Sequence, residues 1–317
     1  MSISEGTGAP AAVRESRVDW VVSRGARIRV ATWCRLGRVD RGTIVIFSGR
    51  SEFVEKYAET IEDLLARDLA VLAFDWRGQG LSDRVIDHPR KGHVESYEHY
   101  LSDAEAVLAH ARALDLPRPW IVLGHSMGGH LALRWIHDHP DDFAAAVLTA
   151  PMIDFCHPLL PRWLVRLIAQ AGCALGLEAS YGPAQRDVVP QVCRFEGNPL
   201  TSSRPRFERY RAAIASDPRV TLGGVTYGWV RATLRSIAVT AAPDFARAIR
   251  LPVLLAIAGR DRVVDNRAAL ALAARLPDVT TLQLPDAEHE ILIETDAVRA
   301  AFLAALDRFL ARLLERA

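Results

Sequence analysis

The chain has 317 residues, half of them apolar and 24% charged, so it carries enough material for one large core and is too hydrophobic to remain disordered. Its 39 Lys and Arg against 38 Asp and Glu leave a formal net charge of +1, which supplies no basic field for a nucleic-acid backbone. No stretch reaches the ~20 uninterrupted apolar residues of a membrane-spanning helix, since Arg162, Arg166 and Gly172 interrupt even 159–177.

Residues 1–16 mix Ser, Gly, Ala, Pro and charge without the apolar run of a signal peptide, and read as a disordered tail. Two β-rich segments, 18–23 and 26–34, flank Arg24-Gly25 and read as a hairpin at a sheet edge. Strands 43–47, 70–75, 120–124 and 144–149 then alternate with helices 57–67, 100–114 and 129–139. Continuous apolar strands between amphipathic helices indicate an α/β core, a mostly parallel sheet covered on both faces, with its first part at 17–151. After Pro151 the alternation stops, and 152–250, broken by Gly197-Asn198-Pro199 and Asp217-Pro218, reads as a helical cap insertion. The core resumes at 251–317 with strands 252–258 and 280–284 and helices 267–275 and 295–316. Cys34, Cys156, Cys173 and Cys193 are far apart and lack metal spacing, so they read as buried thiols of a cytoplasmic protein.

Chemistry is concentrated at Gly124-His125-Ser126-Met127-Gly128-Gly129, a G-x-S-x-G between an apolar strand and a helix. Such an elbow needs small residues where the two backbones come close, and it lifts a serine to the helix N-terminus. A serine nucleophile needs a base, and the base needs an acid that fixes its tautomer, in the chain order Ser, acid, His. His289, in the loop after the last strand, is the expected base, while His125 points elsewhere on its tight turn. Asp261, in the loop after 252–258, is the first choice for the acid. Asp265, better placed as a helix cap, and Asp154 are its rivals. An oxyanion requires two backbone N–H donors, and these positions point to Met127, after the nucleophile, and Arg50, in the loop after the first parallel strand. The Arg50 side chain is left over for another task, such as meeting a phosphate or pairing with Glu52.

With these motifs in order, the chain resembles the alpha/beta-hydrolase superfamily, and within it the monoacylglycerol lipase and bacterial lysophospholipase group. The resemblance runs from Val18 onward and includes Gly49-Arg50-Ser51-Glu52-Phe53 with Lys56-Tyr57, and Asp75-Trp76-Arg77-Gly78-Gln79-Gly80-Leu81-Ser82. It also includes Gly92-His93-Val94, Phe195-Glu196-Gly197-Asn198-Pro199-Leu200-Thr201 and His289-Glu290-Ile291-Leu292. The chain departs from it in carrying Ser48-Gly49 where monoacylglycerol lipases usually carry His-Gly. The resemblance implies a serine hydrolase of mono-acylated lipid esters, with Ser126, Asp261 and His289 as triad, Arg50 and Met127 as oxyanion donors, and neither cofactor nor metal.

Leu159, Leu160, Trp163, Leu164, Leu167 and Ile168 fall at helical spacing, with Arg162 and Arg166 on another side. This face either packs on the core or meets lipid as a peripheral membrane contact. A serine aminopeptidase or general carboxylesterase would use the same triad. An aminopeptidase also needs a carboxylate for the substrate ammonium, for which Glu178, Glu196 and Glu208 are candidates. A hydrolase-fold protein that binds ligand without turnover is the alternative of another class. The sequence leaves the oligomeric state open.

Overall fold

The computed structural model describes residues 14–35, 40–155, 160–188 and 193–314. The first two strands, β1 (Arg14–Ser23) and β2 (Ala26–Arg35), form an antiparallel hairpin. Arg24 and Gly25 turn it with φ of 45° and 80°, the positive pair that a two-residue hairpin loop demands. Strand β1 begins at Arg14, so 14–16 are strand and not tail; the rest of the expected tail, 1–13, lies outside the described residues.

The alternation read from the sequence follows as β3 (Thr43–Phe47), α1 (Ala58–Leu65), β4 (Ala70–Phe74), α2 (Tyr97–Ala113), β5 (Trp120–His125), α3 (Met127–Asp138) and β6 (Ala145–Thr149). A 3-10 turn at Val54–Tyr57 precedes α1, where the sequence predicted one continuous helix over 57–67. Among the described residues α4 (Arg162–Ala174), α5 (Arg204–Ser216), a 3-10 turn at Pro218–Val220, α6 (Tyr227–Thr240) and α7 (Phe245–Ala248) follow. The core closes with β7 (Val253–Ala258), α8 (Asn266–Ala273), β8 (Val279–Leu284) and α9 (Asp296–Leu314).

The strands form one eight-stranded sheet in the order β1-β2-β4-β3-β5-β6-β7-β8, antiparallel at β1-β2 and β2-β4 and parallel elsewhere. Every residue of β3, β4, β5, β6 and β7 is buried, the signature of a sheet covered by helices on both faces. Register brings the chemistry together: Phe47 is opposite Gly124, and Ala258 is opposite Leu284. The loops leaving β3 and β5 are therefore neighbours, as are those leaving β7 and β8. All four emerge at the carboxyl end of the parallel strands, where the order reverses on either side of β3 and β5 and such sheets bind ligands.

Helix α3 is buried on nearly all sides, and His130 within it faces Ser236 Oγ of α6 at 2.7 Å. Burial and the neighbouring Arg134 push this imidazole down to about 3. The unfolded chain thus binds one more proton between that value and about 6.5, so stability is lost as the pH is lowered across this window. The stability lost between pH 7 and pH 5 in denaturant titrations is expected to be smaller in His130→Gln by about 1–2 kcal/mol; an equal loss in both proteins would remove His130 as the cause.

Candidate active site

The turn from β5 into α3 is made at one residue. Ser126 has φ 51° and ψ −116°, outside the comfortable regions for an L-residue, and its amide and carbonyl are held by Thr149 O and by the N–H groups of His130 and Met152. Glycines make the turn sterically possible. A Cβ at Gly128 would fall onto the carbonyl oxygen of Phe47, one at Gly124 would lie 2.7 Å from Gly129 Cα, and one at Gly129 would lie 2.8 Å from Pro151 Cβ.

Ser126 Oγ lies 3.0 Å from His289 Nε2, and His289 Nδ1 lies 2.7 Å from Asp261 Oδ2. A carboxylate only accepts, so Nδ1 carries the imidazole proton and Nε2 is left to accept from the serine hydroxyl. Asp261 also accepts the N–H groups of Val263 and Val264 at 2.8 and 3.0 Å. Burial alone would raise its carboxyl, but His289 and those amides outweigh it and hold the group below the usual range. The two rival acids are elsewhere: Asp265 caps α8 through Arg267 N–H at 2.8 Å, and Asp154 pairs with Arg162.

The loop after β3 is fixed from beneath by the Asp75–Ser82 turn. Trp76 Nε1 donates to Ser48 O at 2.9 Å, Gln79 Nε2 to Gly49 O at 3.1 Å, and Ser51 N–H to Gln79 Oε1 at 2.8 Å. Asp75, fully buried, accepts from Val54 N–H, Leu81 N–H and Arg29, while Gly80 leaves room for its carboxylate. In this clamped loop the N–H of Arg50, like that of Met127 at the start of α3, donates to no protein acceptor among the described residues. Both residues line the cavity at Ser126.

A buried ionic cluster that no sequence motif announces lies beside Ser126 and His289. Glu52 accepts the N–H of Gly49 and the Tyr57 hydroxyl and pairs with Lys56, whose ammonium also lies 2.7 Å from Glu290. Glu290 in turn lies 3.1 Å from His125 Nε2, and the ring of His125 is 4.9 Å from that of His289. Burial would raise the Glu290 carboxyl, but Lys56 and His125 hold it well below its usual range; burial would lower Lys56 and His125, but the carboxylates raise both. Ligand atoms of Glu52, His125 and Glu290 lie within 4.8 Å of one another, as a metal site would need. The Lys56 ammonium touches both carboxylates and already meets the charge that would draw a cation. The sequence signal was the run from Glu52 to Tyr57 and the Glu after His289, whose partners only the fold reveals.

A cavity of about 360 Å³ opens at Ser126 and His289. Its wall is largely apolar, with Met152, Phe155, Leu160, Val165, Ile168, Val225, Trp229 and Val263 among its residues. The expected apolar face of α4 divides in two. Of its residues Leu160 and Ile168 line the cavity, joined there by Val165, and Gly172 packs on Tyr227, whereas Trp163 and Leu167 stay 67% and 54% exposed, Leu164 is part-buried and Leu159 lies outside the described residues. The segment at Asn198 is tied to the histidine loop, because Pro199 O and Leu200 O accept the N–H groups of His289 and Glu290. Glu178, Glu196 and Glu208 are exposed and outside the cavity, the last two paired with Arg204 and Arg211.

The family described as serine aminopeptidase, S33, matches residues 39–296. The chain is 35% identical over 284 residues to lysophospholipase L2 of Escherichia coli, covering 85% of this chain and 80% of that protein. It is 26% identical over 259 residues to monoacylglycerol lipase of Mycolicibacterium smegmatis, covering 81% and 84% respectively. Among solved structures, a soluble variant of monoglyceride lipase from Saccharomyces cerevisiae in complex with a substrate analog superposes with a TM-score of 0.74 at 19% identity, covering 98% of this chain and 99% of that one.

Gly128→Ala is expected to lower the thermal midpoint by several degrees, since no rearrangement short of moving Phe47 admits the methyl. Gly197→Ala, at φ 73° but with open space around it, should cost only about 1 kcal/mol. Comparable midpoints for the two variants would show that the elbow is not sterically fixed.

Proposed function

From the premise that the chain belongs to the serine aminopeptidase S33 family of alpha/beta-hydrolases, we propose that it is a serine hydrolase of mono-acylated lipid esters, acting through Ser126, His289 and Asp261. The observation that carries this is the hydrogen-bonded chain from Ser126 Oγ through His289 to Asp261, at the mouth of an apolar cavity.

Ser126 Oγ attacks the ester carbonyl as its proton passes to His289 Nε2. Asp261 keeps the imidazole in the required tautomer and stabilises its charged form. The N–H groups of Arg50 and Met127 meet the oxyanion, and the alcohol leaves with the proton from His289. A water deprotonated by His289 then releases the fatty acid, whose chain occupies the wall of Phe155, Leu160, Val165 and Ile168.

No helix among the described residues is long and apolar enough to cross a membrane. The outer face of α4, with Trp163 and Leu167 followed by Leu175 at 75% exposure, supports docking on a lipid surface from one side, above the cavity that the inner face lines. The aminopeptidase alternative lacks support from Glu178, Glu196 and Glu208, none of which reaches the cavity.

Fluorophosphonate labelling is expected in the wild type and lost in Ser126→Ala. A folded wild type that resists labelling would favour ligand binding without turnover. Asp261→Asn should lower kcat by about 10⁴-fold. Asp265→Ala should keep its turnover and lose about 1 kcal/mol of stability with its helix cap. Lipid monoesters should be cleaved in preference to aminoacyl amides, and the opposite preference would return the aminopeptidase reading. On vesicles, Trp163→Glu with Leu167→Glu should reduce co-flotation while hydrolysis of a dispersed short-chain ester persists; unchanged flotation would exclude this face as the docking surface.

A further inference from the structure

We infer that the Arg50 side chain is a binding site for a phosphate ester anion at the headgroup end of the cavity, which makes lysophospholipids the preferred substrates over neutral monoacylglycerols. The inference rests on the reading of Ser126 as the acylated nucleophile, and it adds a specificity residue to that site.

Arg50 lines the same cavity as Ser126 and His289. Its Nη1 donates to Gly223 O at 3.0 Å, and its Cζ lies 5.6 Å from the centre of the Trp229 ring. Gly92 makes this placement possible, since a Cβ there would lie 2.9 Å from Nη1. Nη1 alone of the guanidinium nitrogens has a protein acceptor among the described residues, so the fork that suits a phosphate is largely unused.

The charge around it is also uncompensated. The ionisable groups that act on Arg50 electrostatically are the phenols of Tyr97, Tyr100 and Tyr210, and no described carboxylate forms an ion pair with it. The other charges on the cavity wall satisfy one another, Lys56 with Glu52 and Glu290, and His125 with Glu290. The guanidinium is part-buried in the cavity wall without a carboxylate partner among the described residues, so an anionic ligand would supply the counter-charge that the protein does not.

The spacing fits one class of substrate. In an arginine the backbone nitrogen and Cζ are about six bonds of roughly 1.5 Å apart, and so are the ester carbonyl carbon and the phosphorus of a 1-acyl-glycerophospholipid. An ester whose oxyanion meets the N–H of Arg50 thus has its phosphate within reach of the same residue's guanidinium. A monoacylglycerol has a hydroxyl at that position and leaves the cation unmet.

The test compares kcat/KM for lysophosphatidylethanolamine with that for 1-monoacylglycerol of the same acyl chain, both below micelle formation. The ratio is expected to favour the phospholipid in the wild type, to fall about tenfold or more in Arg50→Gln, and to recover in part in Arg50→Lys. Any disturbance of the oxyanion loop moves both substrates together, so an unchanged ratio would overturn the proposal even if both rates fell. Gly92→Ala, whose methyl would press on Nη1, repeats the test with Arg50 in place should Arg50→Gln not fold. In a second arm, glycerol 3-phosphate should compete with a neutral p-nitrophenyl ester at lower concentration than inorganic phosphate does. The reverse order would assign the site to free phosphate and overturn the headgroup assignment. A wild type inert toward every ester would count against the esterase reading alone, and calorimetric titration of glycerol 3-phosphate into wild type and Arg50→Gln would still test the anion site.

Discussion

The backbone of Ser126 has a conformation that an L-residue abandons unless its surroundings forbid the alternatives. Here β5 is paired on both edges, α3 is buried, and Gly124, Gly128 and Gly129 let the two elements approach until Phe47 and Pro151 close the remaining space. The packing energy of the sheet and helix sustains one strained residue, and the strain points its hydroxyl into the cavity. Every other part of the site is arranged around that fixed oxygen.

Two loops must hold their positions relative to it, and the buried ionic cluster is the physical link between them. Glu52 fixes Gly49 in the loop after β3, Glu290 follows His289 in the loop after β8, and Lys56 spans both carboxylates. His125, the residue before Ser126, completes the link with Nδ1 on Thr149 O at 3.1 Å and Nε2 toward Glu290. Because these charges are desolvated, removing any one would strand its partners, which gives the cluster little tolerance for displacement. The turn at Ser126, the loop after β3 and the loop carrying His289 are thereby set by one shared network as well as by the strands that carry them.

The helices between β6 and β7 use the remaining apolar surface. Helix α4 contributes one side to the cavity and another to solvent, and α6 is capped by Thr226, whose hydroxyl also lies 2.8 Å from His93 Nδ1. Strand-like contacts of Gly92 with Val225 and of Phe155 with Val264 tie this region to the core on two sides. Arg50 sits under the first of these ties, so its charge and the apolar wall belong to a single enclosure.

Much of this was legible in the sequence. Strands buried on both faces read as unbroken apolar runs, so β3 was found at its observed limits and the alternation of β and α gave the sheet. The convergence of Ser126, Asp261 and His289 was legible because a serine elbow calls for an acid and a base in a known order after particular strands, and Asp265 was correctly suspected of being a helix cap. The early start of β1 escaped notice because its polar first residues pair through the backbone of β2, which periodicity does not see. The ties among Glu52, Lys56, His125 and Glu290, the division of α4 into two apolar faces and the isolation of the Arg50 charge were decided by tertiary structure alone. Local pattern records which residue types a strand or helix requires, whereas pairing a buried charge depends on which distant loops the sheet register brings side by side.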